Sequence, residues 1–70
     1  MNYRAFSIKL KAQGFTKSEI VRLNRLGYES AVDAHKPFEK QIPCFHAYCA
    51  EIGRDFVIDN LDMFQELLKR

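Results

Sequence analysis

The sequence has no apolar run approaching the roughly 18 residues needed to cross a bilayer, and its N-terminus lacks the apolar stretch and cleavage site of a signal peptide. It also has no repeats, no low-complexity tract and no linker. Seventy residues leave room for one hydrophobic core only. A domain of this size buries about 60% of the surface that its unfolded chain exposes, so it has no apolar surface to spare for a second core. We therefore expect a single small globular domain over residues 1–70, located in the cytoplasm and without a membrane partner.

Cysteine is scarce as well. Cys44 and Cys49 are too few to staple a secreted mini-protein, and on one helix their Cα atoms would lie roughly 9 Å apart, too far for a disulfide. We expect both to be reduced thiols, as is usual in a reducing compartment.

The motifs of common enzyme classes are missing too. The chain contains no phosphate-binding glycine loop, nucleophile elbow, metalloprotease helix or paired-carboxylate arrangement. A chain this short also has little material for a sizeable cleft. We predict no catalytic residues, no cofactor, no bound metal and no small-molecule substrate.

What is present favours a folded helical domain. Hydrophobic residues make up 47% of the chain and charged residues 29%, a globular composition. Thr16 and Glu19 have the spacing of a capping box, and Gly14 suits the left-handed position after a helix end. We predict a helix over Lys17–Leu26, with Ile20 and its apolar neighbours on one face and Ser18, Arg22 and Arg25 on the other.

Glycine and proline suggest where this helix and the next one end. Gly27 is expected to close the helix Lys17–Leu26, and Ser30 to cap a short helix that Pro37 ends.

A third helical stretch is expected from Pro43, which is acceptable as a first helical residue, to an interruption at Gly53. Its apolar stripe consists of Phe45, Tyr48, Cys49 and Ile52. A last helix follows Asp59 or Asn60 and turns Leu61, Phe64, Leu67 and Leu68 inward.

The N-terminal segment has two interpretations. Tyr3, Phe6 and Leu10 fit one face of a helix, whereas residues 6–12 also alternate as a half-buried strand would. We favour the helix, because Gly14 resembles a helix exit. The prediction is thus an all-α bundle of four to five short helices. The alternative is an α+β fold with a two-stranded sheet from residues 5–12 and 54–58.

Residues 10–34 carry a local resemblance. The pattern of Leu10, Gly14-Phe15, Ile20, Leu23, Gly27-Tyr28 and Ser30 resembles the first helices of helical domains in recombinase N-terminal regions. It is also similar to the C-terminal domain of the bacterial polymerase alpha subunit, and more weakly to ubiquitin-associated helix trios. Members of the first two families often bind DNA, which the resemblance would imply here. It covers about a third of the chain, and their later glycine-rich hairpin has no counterpart after Pro37, so it supports a helical fold without assigning a family.

Charge is distributed unevenly along the chain. Residues 1–28 hold six basic residues against Glu19 alone, a net charge of +5, whereas residues 29–70 hold five basic and eight acidic residues, a net charge of −3. A basic surface of this kind can contact phosphates or an acidic partner. Its predicted members are Lys9, Lys11, Lys17, Arg22 and Arg25.

Histidine and cysteine give a further hypothesis. His35, Cys44, His46 and Cys49 are ligand types for zinc, and Cys44 near a helix N-terminus with His46 beside it could support a redox-sensitive thiol. The spacing argues against a metal site, because Cys44 and His46 on one helix would point about 160° apart. We expect a buried Cys49 and partly exposed histidines.

The C-terminal helix has more apolar surface than one small core needs. Met63 lies off the main stripe, and we predict a partner interface at Met63, Phe64 and Leu67.

Three functional hypotheses follow. The leading one is a non-enzymatic binding or regulatory protein that acts through a macromolecular interface, with a protein partner or self-association, such as a homodimer, favoured. The second is a nucleic-acid-binding accessory protein that contacts DNA or RNA through the basic N-terminal surface. The third is a thiol- or metal-dependent small protein.

Overall fold

The computed structural model describes residues 1–70 and contains helices and no strands. The four α-helices are α1 (Tyr3–Ala12), α2 (Lys17–His35), α3 (Phe45–Asp59) and α4 (Leu61–Leu68), and a 3₁₀ helix, Lys36–Gln41, connects α2 to α3. The predicted all-α bundle is confirmed. The two-stranded alternative is wrong, because residues 5–12 lie in α1 and residues 54–58 lie in α3.

Local capping interactions fix the first two helices. The Asn2 side chain accepts a hydrogen bond from the Ala5 amide at 2.9 Å, and Gly14 adopts φ = 94° after α1. The Glu19 amide donates to the Thr16 hydroxyl at 3.2 Å, while the Thr16 amide donates to the Glu19 carboxylate at 2.8 Å. This is the predicted capping box, and it satisfies two amides that a helix N-terminus otherwise leaves without partners.

The predicted stop at Gly27 is wrong. α2 continues through Gly27 and Ser30 to His35, so no second short helix exists in this region. α3 likewise continues through Gly53, which was expected to interrupt it. Pro37 does follow the end of α2 and lies at the start of the 3₁₀ helix, where its missing amide costs nothing.

Both glycines lie where α2 and α3 cross. A Cβ built on Gly27 would stand 2.5 Å from the Gly53 carbonyl oxygen and 2.6 Å from a Val57 methyl, and one on Gly53 would stand 2.5 Å from the Gly27 carbonyl oxygen. Only hydrogen fits between the two backbones. The two residues that looked like helix ends are therefore the contact that brings the two longest helices together.

The turn before α3 also differs from the prediction. Pro43 precedes the helix instead of opening it, and Cys44 occupies the N-cap position with φ = 51°. That left-handed conformation is unfavourable for a residue with a Cβ. No side chain caps this end of α3.

The interior consists of two apolar clusters. The larger one, which we call the main core, joins all four helices through six side chains that are almost wholly buried. The smaller one, the upper cluster, joins the C-terminal half of α2 to the N-terminal half of α3. The main core contains Phe6, Leu10, Ile20, Leu23, Val57 and Phe64, and the upper cluster contains Ala31, Phe45 and Cys49.

The last helix closes the main core from one side. Phe64 is fully buried, and Leu61, Leu67 and Leu68 are partly buried against the core, as predicted. Its C-terminal end is held by Arg22, whose guanidinium donates to the Leu68 carbonyl at 3.1 Å. No helix of the molecule has the length and apolar character required to traverse a bilayer.

Candidate functional site

A groove runs beside the crossing of α2 and α3. It has a volume of about 560 Å³, and its floor consists of Ala31 from α2 and Ile52 from α3. Ala34 and the ring of Phe56 form its apolar sides, and 43% of the surface of Phe56 is exposed to solvent. Two large helices thus present an open apolar channel next to their closest contact.

The edge of the groove is acidic. Asp55 and Asp59 lie one helical turn apart on α3, and the facing edge on α2 is formed by Ser30 and His35. The Asp55 carboxylate accepts from the Met1 amine at 3.1 Å, whereas the Asp59 carboxylate has no partner within the chain. The groove therefore has an apolar floor and one unpaired negative charge at its edge.

A second depression adjoins this end of the groove. It lies at the turn between α3 and α4, and Asp59 is common to both. Asp62 and Met63 also line it, and 47% of the Met63 surface is exposed. The apolar and acidic surface therefore extends from α2 across α3 to the start of α4.

The predicted partner interface is only in part a surface. Met63 is exposed and lies beside the groove, whereas Leu67 is half-buried against the main core. Phe64 is fully buried, and its ring meets that of Phe56 edge-on at 5.5 Å. The inclusion of Phe64 is therefore corrected: it is a core residue that supports the exposed Phe56 from beneath.

Three of the five predicted basic residues are free. Lys9 and Lys11 in α1 and Lys17 in α2 are exposed and have no carboxylate within ion-pair distance. These lysines remain available to an acidic partner or a phosphate.

The two arginines of the predicted basic surface have partners within the chain. Arg25 pairs with Glu29 at 2.9 Å, one turn along α2, and Arg22 holds the end of α4 through the Leu68 carbonyl. The Arg25 pair is solvent-exposed on both sides, and such pairs contribute little to stability. Glu29 offsets the charge of Arg25, whereas Arg22 is exposed and bonded to an uncharged carbonyl and so keeps its full charge.

The histidines and cysteines do not converge. His46 shares a hydrogen bond of 2.7 Å with the Tyr28 hydroxyl, and His35 donates to the Ala31 carbonyl at 3.0 Å. Cys44 is exposed and Cys49 is buried. The structure contains no group of three His, Cys, Asp or Glu side chains placed to hold a metal ion.

Cys49 lies in the interior of the upper cluster. Burial raises the pKa of its thiol above the ordinary value of 9.0, and the carboxylate of Glu39 raises it further. Both effects disfavour the thiolate, which is the reactive form of cysteine. Of the two thiols, only Cys44 is accessible to reagents in solution.

The groove itself was not predicted from the sequence. Its residues come from two helices and lie at least 17 positions apart in the sequence, and the helix that begins at Lys17 is expected to end before Ser30 and Ala34. A signal was nevertheless present in α3, where Ile52, Phe56 and Asp59 fall at helical spacing beside the buried stripe. These three residues form a second stripe on α3 that is at least partly exposed to solvent.

Comparison of the chain with protein-family models, with curated proteins and with solved structures finds no match. The resemblance of residues 10–34 to helical DNA-binding domains therefore assigns no family. The Gly27-Tyr28 pair of that pattern lies inside the continuous helix α2. The function must be inferred from the surface of this chain.

Proposed function

We propose that the protein is a non-enzymatic binding protein that holds a segment of a protein partner in the groove between α2 and α3. The observation that carries the proposal is the half-exposed Phe56, which stands over the apolar floor formed by Ala31 and Ile52. An exposed aromatic ring beside an apolar groove gives a partner apolar surface to bury.

The chemistry of the groove defines the partner. An apolar side chain is required by the floor, and a Lys or Arg beside it would pair with the unpaired Asp59. Nucleic acid is a poor occupant, because its phosphates would meet the carboxylates of Asp55 and Asp59. A helix carrying an apolar residue flanked by cations fits this description, since grooves between helices commonly receive amphipathic helices.

Site-specific photo-cross-linking tests the proposal. A photoreactive residue in place of Ala34, inside the groove, should capture a partner from native cell extract, while the same residue in place of the exposed Ala47 on α3 should not. The captured partner should survive nuclease treatment, and the cross-linked segment should contain an apolar residue next to a Lys or Arg. Equal capture from both positions, or a product that disappears with nuclease, would overturn the proposal.

A second function is supported by the three free lysines. Lys9, Lys11 and Lys17 are exposed cations without acidic partners, and they could contact a phosphate backbone of DNA or RNA without reading its sequence. The test is binding of the purified protein to DNA and RNA at low salt. Charge reversal of Lys9 and Lys11 should abolish such binding, and absence of binding at low salt disposes of this function.

A further inference from the structure

The chain itself carries an exposed surface with the apolar residue and the cations that the groove requires. The solvent face of α1 carries Ile8, the most exposed large hydrophobic residue of the protein, with 60% of its surface accessible. Arg4 lies one turn before Ile8 and Lys11 one turn after it, all within about 60° around the helix axis. We call these three residues the α1 face.

The charges of the α1 face and the groove are complementary. α1 contains Arg4, Lys9 and Lys11 and no acidic residue. The groove and the adjoining depression are lined by Asp55, Asp59 and Asp62 and by no lysine or arginine. Neither Arg4 nor Lys11 has an acidic partner within the chain, and neither does Asp59 or Asp62. Each surface therefore presents unpaired charge that the other would neutralise.

The α1 face cannot occupy the groove of its own chain. The start of α1 is fastened to one side of α3, where Arg54 donates to the Met1 carbonyl at 3.3 Å and stands over the Tyr3 ring at 5.7 Å. Ile52, on the groove floor, lies two positions from Arg54 and so points roughly 160° away around the helix, and the chain start reaches the groove only through the Met1 amine at its Asp55 edge. The α1 face also points away from the core, since Ile8 is two positions from the buried Phe6 and Leu10.

Resting on the proposed function, we infer that the occupant of the groove is the α1 face of a second copy of this chain. The contact is head-to-tail: the groove of one protomer receives Ile8 of the next, with Arg4 or Lys11 beside Asp59. Such a contact leaves one groove and one α1 face free at the two ends, so further copies can add. One helix of three turns covers a small area, so the association is weak and grows with concentration.

Two variants that block opposite ends of the contact test this inference. Ile8→Glu removes the α1 face, and Ala34→Arg blocks the groove; both positions are solvent-exposed in helices, so circular dichroism should show unchanged helix content. The matched controls are Val21→Glu, at the similarly exposed Val21 on α2, and Ala47→Arg, outside the groove.

Sedimentation equilibrium of the purified protein at low salt provides the readout. The mass of the wild type should rise with concentration, and each blocked variant should weaken the association by about tenfold or more, while both controls behave as wild type. An equimolar mixture of the two blocked variants should form a complex of two chains and grow no further, because only one groove and one α1 face remain. Salt should weaken the complex, because its charges are exposed.

Three results would overturn the inference: a wild type that stays monomeric at high concentration, a mixture that does not associate, or equal loss with the controls. A mixture that fails while the wild type dimerises would indicate a symmetric contact elsewhere. A protein that stays monomeric could still yield a nuclease-resistant cross-link from position 34 to a different protein. That result would reject a second copy as the occupant of the groove and would leave the proposed function intact.

Discussion

The main core and the upper cluster divide the molecule into a well-buried end and a thin end. The main core contains six side chains that are at most 1% exposed, drawn from all four helices. The upper cluster has three, of which Ala31 and Phe45 each keep 6% of their surface accessible, and only α2 and α3 build it. The groove follows the side of α2 and α3 next to this thin end. Burial is thus concentrated at one end of the molecule, and the groove lies beside the less buried end.

The largest expected effect comes from truncating the main core. Phe6→Ala should lower the free energy of unfolding by about 3–5 kcal/mol, because it removes a fully buried ring among rigid neighbours. Phe45→Ala in the upper cluster should cost less, since its surroundings are thinner and can collapse or admit water. Urea denaturation of both variants checks this. Equal losses would show that the two clusters are one cooperative core. If Phe6→Ala is unfolded, Phe6→Leu provides a milder comparison.

The next effect lies at the crossing that joins the two ends. Gly27→Ala should destabilise the protein by about 2 kcal/mol or more, because the added methyl would meet the Gly53 carbonyl at 2.5 Å. This loss should exceed the roughly 1 kcal/mol that alanine gains over glycine in a helix. The control is Ser18→Ala, an exposed position of α2 where only helix propensity changes. A stabilised Gly27→Ala protein, measured by thermal unfolding, would contradict the close approach of the two helices.

A smaller effect of opposite sign is expected at the thin end. Cys44→Gly should stabilise the protein by about 0.5–1 kcal/mol, because glycine tolerates φ = 51° while a residue with a Cβ loses about 1–2 kcal/mol there. The entropy of a glycine in the unfolded chain offsets part of the gain. Ala47→Gly, in the first turn of α3, should instead destabilise the protein, by up to about 1 kcal/mol. Destabilisation of Cys44→Gly in urea titrations would refute strain at this turn.

The smallest expected effect is a pH-dependent loss of folding stability caused by Cys49, and it is absent at neutral pH. Because burial raises the pKa of its thiol in the folded state, the folded chain holds this proton more tightly than the unfolded chain. The resulting stability is complete below the unfolded pKa near 9.0 and is lost as pH rises through and above that value. Urea midpoints measured from pH 7 to 10 should fall in wild type and Cys44→Ser, and more shallowly in Cys49→Ala. Rapid alkylation of Cys49 in the native protein would show that the thin end opens.

Much of the fold was predictable because its signals are local. Thr16 and Glu19 lie three positions apart and cap α2 through their own backbone, so their pairing requires no knowledge of the tertiary structure. The inward residues of α4 and the buried Cys49 followed from helical spacing alone. The error at Gly27 arose because a glycine that ends a helix and one that admits a second helix look the same in sequence. The reason for Gly27 lies at Gly53, 26 positions away.

The candidate site was less predictable for the same physical reason. Counting charges identified the lysines of the N-terminal half, but it could not show that Arg22 reaches the Leu68 carbonyl across 46 positions. Met63 was recognised because it departs from the periodicity of its own helix, whereas Phe64 was predicted both as an inward residue and as part of the interface, and its full burial in the main core leaves only the first role. The groove depends on where α2 and α3 cross, and that is set by long-range contacts.

The two facing glycines have a consequence for how this protein can evolve. Ala31 and Ile52, on the groove floor, stand four and one positions from Gly27 and Gly53, so the spacing that admits only hydrogen at the crossing also sets the width of the channel. Substitution of either glycine by a larger residue would push the two helices apart or tilt one of them, and the same change would alter the shape of the channel. Under the proposed function, variation at these two positions would change the channel that receives the partner, so descendants with altered partners should carry paired substitutions here.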